Sequence, residues 1–97
     1  MNLTIVIPCY NEEQVLPWTL GKLVTLIERL KTEASTDARL LLVDDGSRDR
    51  TWEIISEAAK AHCYVSGIRL SHNEGHQGAL WAGMQESVAT SDAVASI

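Results

Sequence analysis

Thr4-Ile5-Val6-Ile7 is an apolar, β-branched run of strand length that stops at Pro8 and gives way at once to Cys9-Tyr10-Asn11-Glu12-Glu13. Such a run reads as a strand buried on both faces that delivers a polar loop to one edge of a sheet. The pattern recurs along the chain. Arg39-Leu40-Leu41-Leu42-Val43 ends in Asp44-Asp45-Gly46-Ser47, and Tyr64 to Leu70 ends in Ser71-His72-Asn73-Glu74-Gly75. Ala93-Val94-Ala95-Ser96-Ile97 opens a fourth run.

Helical spacing fills the intervals. Leu16, Leu20, Leu23, Ile27 and Leu30, with Val24 beside them, lie on one helical face, and Pro17 suits the first turn. A second helix is expected over about Arg50–His62, capped by Ser47 or Asp49, with Ile55, Ala58, Ala59 and His62 turned inward and Trp52 and Ile54 flanking. A third is expected over about His76–Ala89, where Leu80, Met84 and Val88 recur and Gly78, Ala79, Ala82 and Gly83 allow close approach to the sheet. Gly67 weakens the third strand in its middle. Trp18, Trp52 and Trp81 are expected to pack, Trp81 near enough to the third loop to border a cleft. Strand and helix alternating in this way predict an α/β fold. Its parallel Rossmann-like sheet should have the order 3-2-1-4, with helices on both faces.

Ninety-seven residues make one compact domain at most. A net charge of −5 leaves no basic stripe for phosphate backbones, so a non-specific nucleic-acid binder is excluded. A small anionic ligand is not. Cys9 and Cys63 have no metal-like spacing, and with no secretory signal ahead of the first strand they suggest a reducing, cytoplasmic setting. No run reaches the ~18 apolar residues of a membrane span.

In a doubly wound sheet, ligands bind beyond the carboxyl ends of the strands, where the winding reverses. The Pro8–Glu12, Asp44–Ser47 and His72–Gly78 loops should converge there. Neighbours on a strand point to opposite faces, so one of Asp44 and Asp45 should reach the cleft while the other holds the loop or caps the next helix. A carboxylate there suits an N–H of a nucleobase. The plainer reading of Asp-Asp-Gly-Ser is a turn with a cap. Glu12 could accept from base or ribose, or be a solvated charge; Tyr10 could stack on a base, or only cover the sheet end. Gly75-His76-Gln77-Gly78 at a helix start offers N–H groups to an anion, without the GxGxxG or Walker pattern. The missing glycine fingerprint also disfavours a flavin or dinucleotide domain. His72 and His76 lack a third partner for zinc.

Ile7-Pro8-Cys9-Tyr10-Asn11-Glu12-Glu13, Val43-Asp44-Asp45-Gly46-Ser47-Arg48-Asp49-Arg50-Thr51 and Asn73-Glu74-Gly75-His76-Gln77-Gly78-Ala79-Leu80 together resemble the family 2 glycosyltransferases. The likeness is greatest to the dolichyl-phosphate mannose synthase-like and bacterial polyprenyl-phosphate branch, and it runs over essentially the whole chain. It implies the N-terminal, nucleotide-sugar-binding half of a GT-A domain over residues 1–97. Pro8, Tyr10, Glu12, Val43 and Asp45 then match positions that hold the base and ribose of the donor. Asp44 matches the neighbouring carboxylate, and Gly75 to Gly78 a loop near the donor phosphates.

The family's Asp-x-Asp motif, which holds Mg2+ or Mn2+ against the diphosphate, would fall just after Ile97. The complete protein is therefore expected to move a sugar from a nucleotide-diphosphate donor to a polyprenyl phosphate at the cytoplasmic membrane face. The 97 residues alone should be inactive, and their open fourth strand invites self-association. A nucleotide-binding or interaction module without chemistry is the alternative.

Overall fold

Six consecutive residues of the first strand, Thr4 to Cys9, are buried whichever face they point to. Only a central strand covered on both sides produces that pattern. The structure, a computed structural model, describes residues 2–71, 75, 78, 81–83, 85 and 93–96. Within them run β1 (Asn2–Cys9), α1 (Leu16–Glu33), β2 (Asp37–Asp44), α2 (Thr51–Ala61), β3 (Val65–Arg69) and β4 (Ala93–Ser96). All strand pairs are parallel and the sheet order is β3-β2-β1-β4, as the alternating pattern predicts. Each strand boundary lies within two residues of the expected one, and β1 and β2 each extend one residue further into the polar loops that follow.

Residue parity divides the core. On one face Ile5, Ile7, Cys9, Leu40, Leu42 and Val65 meet Leu16, Leu20, Leu23 and Ile27 of α1 and Ile55 of α2. The four α1 residues recur at steps of four, three and four, so the spacing places one helical stripe on the sheet. On the other face lie Val6, Leu41 and Val43, with Ile68 and Leu70 against them. Gly83 approaches that second face so closely that a Cβ there would collide with Val6 and reach within 2.9 Å of Val43 Cγ2. Residues 81–83 are helical, so helices cover both faces. Residues 78 and 85 are helical too, while the other residues of the expected third helix, Leu80, Met84 and Val88 among them, lie outside the described residues.

Gly67 has a comparable reason to be small. A Cβ at this position would sit 2.5 Å from Ile55 Cγ2 and 3.3 Å from Trp52 Cζ3. The glycine expected to weaken β3 is instead what lets α2 settle on it.

The tryptophans divide. Trp52 packs on the core as expected. Trp18 is 65% exposed and Trp81 64% exposed, so the expectation that these two pack is corrected. Trp18 lies on the α1 side turned away from the sheet, its ring covered by the Lys22 ammonium at 4.1 Å.

Candidate functional site

The carboxyl ends of β1 and β2 are register partners, Pro8 opposite Val43 and Cys9 opposite Asp44. Both loops therefore leave the sheet side by side, and the ladder runs one step beyond the strands, with the Asp45 N–H donating to the Cys9 carbonyl at 2.8 Å. The loops are then bonded to each other through side chains. Ser47 Oγ accepts the Asn11 N–H at 2.9 Å, and Asn11 Oδ1 accepts the Arg48 N–H at 2.9 Å. Thr51 Oγ1 accepts the Glu12 N–H at 2.8 Å, and Asp49 Oδ2 accepts the Glu13 N–H at 3.2 Å. Four bonds thus join segments 36 to 39 residues apart in sequence. Asn11 adopts a left-handed φ of 48°, a conformation asparagine tolerates better than most residues.

The two motif carboxylates separate as strand parity requires. Asp44 is fully buried on the α1/α2 side, following Leu40 and Leu42. Its Oδ1 accepts the Ser47 N–H at 3.0 Å, closing the turn, and its Oδ2 lies 3.6 Å from Arg69 Nε. Asp44 is thus the member of the pair that holds the loop. Asp45, 3% exposed, comes two residues after Val43, whose side chain lies on the opposite face. Buried Pro8 shares that face through its pairing with Val43. Tyr10 is 43% exposed at the start of the β1–α1 loop, and Glu12 is exposed further along it. Gly75 carries a φ of 84°. His72, Asn73, Glu74, His76 and Gln77 lie outside the described residues, and with them the zinc pair and all of the His72–Gly78 loop but Gly75 and Gly78.

The expected cap is corrected. The N-cap of α2 is Arg50, which makes no side-chain cap bond. Ser47 is committed to Asn11, and Asp49 Oδ1 accepts both the Thr51 N–H at 2.9 Å and the Thr51 hydroxyl at 2.5 Å. Asp49 therefore ties down the helix start from one position further out while its other oxygen holds the neighbouring loop. Burial pushes its carboxyl pKa up, but the hydrogen bonds from Thr51 and Glu13 outweigh that and hold it below the usual value. Cys9 is affected in the other sense: burial, then the charges of Glu12 and Asp44, push its thiol up to about 12. A buried thiol so resistant to ionisation is structural rather than nucleophilic.

Thr51 is the residue that local reading missed. It is fully buried at the first position of α2 and contacts both loops. Its place at the end of the second quoted motif was the available signal. An open cleft of about 420 Å3 lies beside this assembly, lined by Gly46, Ser47, Arg69, Leu70 and Ser71. Among the described residues no three His, Cys, Asp or Glu side chains converge as a cation site would require, and no helix is long and apolar enough to cross a membrane.

Comparison with known proteins adds to this geometry. The family model described as Glycosyl transferase family 2 matches residues 4–97. An uncharacterized glycosyltransferase of Bacillus subtilis strain 168, YkoT, is 43% identical over 97 residues, covering 98% of this chain and 29% of that protein. The undecaprenyl-phosphate 4-deoxy-4-formamido-L-arabinose transferase of Pectobacterium carotovorum subsp. carotovorum strain PC1 is 37% identical over 91 residues, covering 90% of this chain and 26% of that protein. The chain thus spans well under a third of the length of these relatives. The crystal structure of S. aureus TarS 1–349 in complex with UDP superposes with a TM-score of 0.76 at 21% identity, over 100% of this chain and 27% of that one. That is a likeness of fold, and it bears out the expected architecture, the N-terminal half of a GT-A domain.

Proposed function

The chain belongs to glycosyl transferase family 2, and on that premise we propose that residues 1–97 are the donor-binding part of an enzyme that moves a sugar from a nucleotide-diphosphate donor to a polyprenyl phosphate. The observation that carries this reading is the set of four hydrogen bonds locking the β1–α1 loop to the β2–α2 segment. They fix the segment carrying Tyr10 and Glu12 against the β2–α2 segment, beside Asp45, whose N–H bonds the Cys9 carbonyl, and groups fixed by the fold's own bonds need little ordering on binding. A relative whose name specifies an undecaprenyl-phosphate acceptor and a solved structure of the same fold holding UDP support the donor and acceptor classes.

In this reading Pro8 and Val43 floor the base subsite, an apolar step at the ends of the two central strands. The Asp45 carboxylate accepts an N–H of the base, Tyr10 lays its half-exposed ring against it, and Glu12 accepts from a ribose hydroxyl. Asp44 serves from beneath by fixing the loop, and Gly75 borders the phosphates. Departure of a nucleoside diphosphate builds negative charge on the leaving group. The Mg2+ or Mn2+ implied by the family resemblance would neutralise that charge, but the described residues offer it no ligand set. A polyprenyl phosphate is already an anionic nucleophile, so it makes a strong general base dispensable. This chemistry belongs to the cytoplasmic membrane face, where such a lipid and soluble nucleotide sugars meet. The outer edge of β4 has no strand partner among the described residues, and it pairs with another copy wherever no further strand of the protein covers it.

The test uses the full-length protein, titrated calorimetrically with uridine and guanosine diphosphates and their sugars, and then assayed for transfer to a polyprenyl phosphate. Asp45→Ala should weaken binding of the preferred nucleotide by about 1–3 kcal/mol, as expected for an N–H left without its acceptor. Unchanged affinity for both nucleotides removes Asp45 from the site. Nucleotide binding with no transfer to any polyprenyl phosphate identifies a binding module instead.

A further inference from the structure

We infer that Arg69, at the end of β3 and outside the three motifs, is a positioning residue for donor binding that acts through Asp44. The inference rests on the donor-binding reading above. Asp44 is a carboxylate with no solvent exposure. Its Oδ1 is used by the Ser47 N–H, while Oδ2 is buried without a hydrogen bond. The Arg69 guanidinium at 3.6 Å makes the one ion pair that Asp44 has among the described residues. Arg69 is itself held on its other side, with its guanidinium carbon 5.8 Å from the Trp52 ring centroid. A buried charge deprived of its counter-charge must find water or a new donor, and the surrounding chain moves to allow it.

The chain that would move is the site. From Asp44 the contacts run to the Ser47 N–H, from Ser47 Oγ to the Asn11 N–H, and from Asn11 Oδ1 to the Arg48 N–H. Arg69 thus stands at the head of a path crossing from β3, through the β2–α2 loop, to the segment that carries Tyr10 and Glu12. Its backbone continues the same frame, since the next residue, Leu70, donates its N–H to the Asp44 carbonyl at 2.9 Å. Arg69 also lines the open cleft with Gly46, Ser47 and Ser71. It could therefore touch the donor directly instead of acting through Asp44, and the two roles predict different couplings.

A double-mutant cycle in the full-length protein separates them. Arg69→Met strands the Asp44 carboxylate. In an Asp44→Asn background there is no charge to strand, and the amide oxygen can still accept the Ser47 N–H. With uridine or guanosine diphosphate as the calorimetric probe, whichever the unaltered protein binds, Arg69→Met should weaken affinity about tenfold alone and by less than about twofold in the Asp44→Asn background. Arg69→Lys, which keeps the charge, should recover most of the loss. An equal loss in both backgrounds overturns the inference in favour of direct contact, and no loss in either overturns it outright. If Arg69→Met alone fails to fold, the comparison of Asp44→Asn with the double variant still decides: equal affinities support the inference and a tenfold gap refutes it. Absence of nucleoside diphosphate binding by the unaltered protein refutes the donor-binding reading itself, a result distinct from either outcome of the cycle.

Discussion

Thr51→Val tests whether hydrogen bonding or apolar burial governs the junction of the two loops. Thr51 is fully buried, and its hydroxyl accepts from the Glu12 N–H at 2.8 Å while donating to Asp49 Oδ1 at 2.5 Å. Valine has nearly the same shape, so no cavity opens. The Glu12 amide loses its acceptor, at a cost of about 1–3 kcal/mol. Asp49 keeps its bonds from the Thr51 and Glu13 amides and is reachable by water, so losing one donor adds only about 0.5–1 kcal/mol. Against this, the extra buried methyl returns about 0.8 kcal/mol. The net expectation is a destabilisation of about 1–3 kcal/mol. Thr51→Ser keeps both bonds and should cost only about 1 kcal/mol for the lost methyl. Hydrogen exchange read at the Glu12 amide of the full-length protein reports the effect locally. Protection should fall roughly 5- to 140-fold in Thr51→Val, since about 1.4 kcal/mol is a factor of ten, and clearly less in Thr51→Ser. If Thr51→Val were neutral or stabilising with Glu12 protection intact, apolar burial would be the governing term and the account of the loop junction would be wrong.

The same junction sets a pH dependence. Asp49 is held below its ordinary value of 3.8, so its contribution is fully present above that value and is lost as pH falls through the lower folded-state value. Thr51→Val removes one of the bonds that lower it, so urea unfolding followed from about pH 5 down to about pH 2 should show a shallower loss of stability in the variant. Gly67→Ala should destabilise by about 1–3 kcal/mol, because the new methyl meets Ile55 of the packed helix; denaturant titration checks this. At pH 8 Cys63 should be alkylated rapidly and Cys9 should remain protected until the fold is opened, as peptide mapping can show; Cys63 is exposed, and Cys9 is buried with its thiol pushed up to about 12. Trp18→Ala should change stability by less than about 1 kcal/mol and Trp52→Ala by about 3 kcal/mol or more, the ranking being read from thermal or denaturant midpoints.

How much of this could be read beforehand depends on whether a feature is local or distant in sequence. The uninterrupted apolar run from Thr4 to Ile7 marks a strand covered on both faces, and two further runs ending in polar loops, with a fourth opening at Ala93, lead to the order β3-β2-β1-β4. The α1 stripe follows from spacing alone. The separation of Asp44 and Asp45 onto opposite faces follows from strand parity, with Asp44 closing the turn through the Ser47 N–H. The partners of Ser47, Asp49 and Thr51 were not legible, because a hydroxyl or carboxylate near a helix start looks like a local cap whether or not a distant amide claims it. Gly67 misled for a related reason. A glycine in a strand reads as a weak point until the Ile55 and Trp52 side chains above it are known. Trp18 misled in the opposite direction, since composition suggests burial while its position on the α1 wheel faces away from the sheet.

The cross-loop partners of Ser47, Asp49 and Thr51 have a physical cause that bears on how the two loops behave. In a parallel sheet each strand–helix loop ends with amides that its own helix cannot satisfy. Capping each helix from its own loop would leave adjacent loops free to move separately. Here the amides of Asn11, Glu12 and Glu13, ahead of α1, are satisfied by the side chains of Ser47 and Asp49, ahead of α2, and of Thr51, its first residue. Neither loop can then take its bonded form without the other, so a substitution in one should weaken a ligand contact made by the other. On the proposed donor-binding role, Thr51→Val, 41 residues in sequence from Tyr10, should therefore raise the dissociation constant for the nucleotide although Thr51 is fully buried. Loops capped independently would leave that constant unchanged.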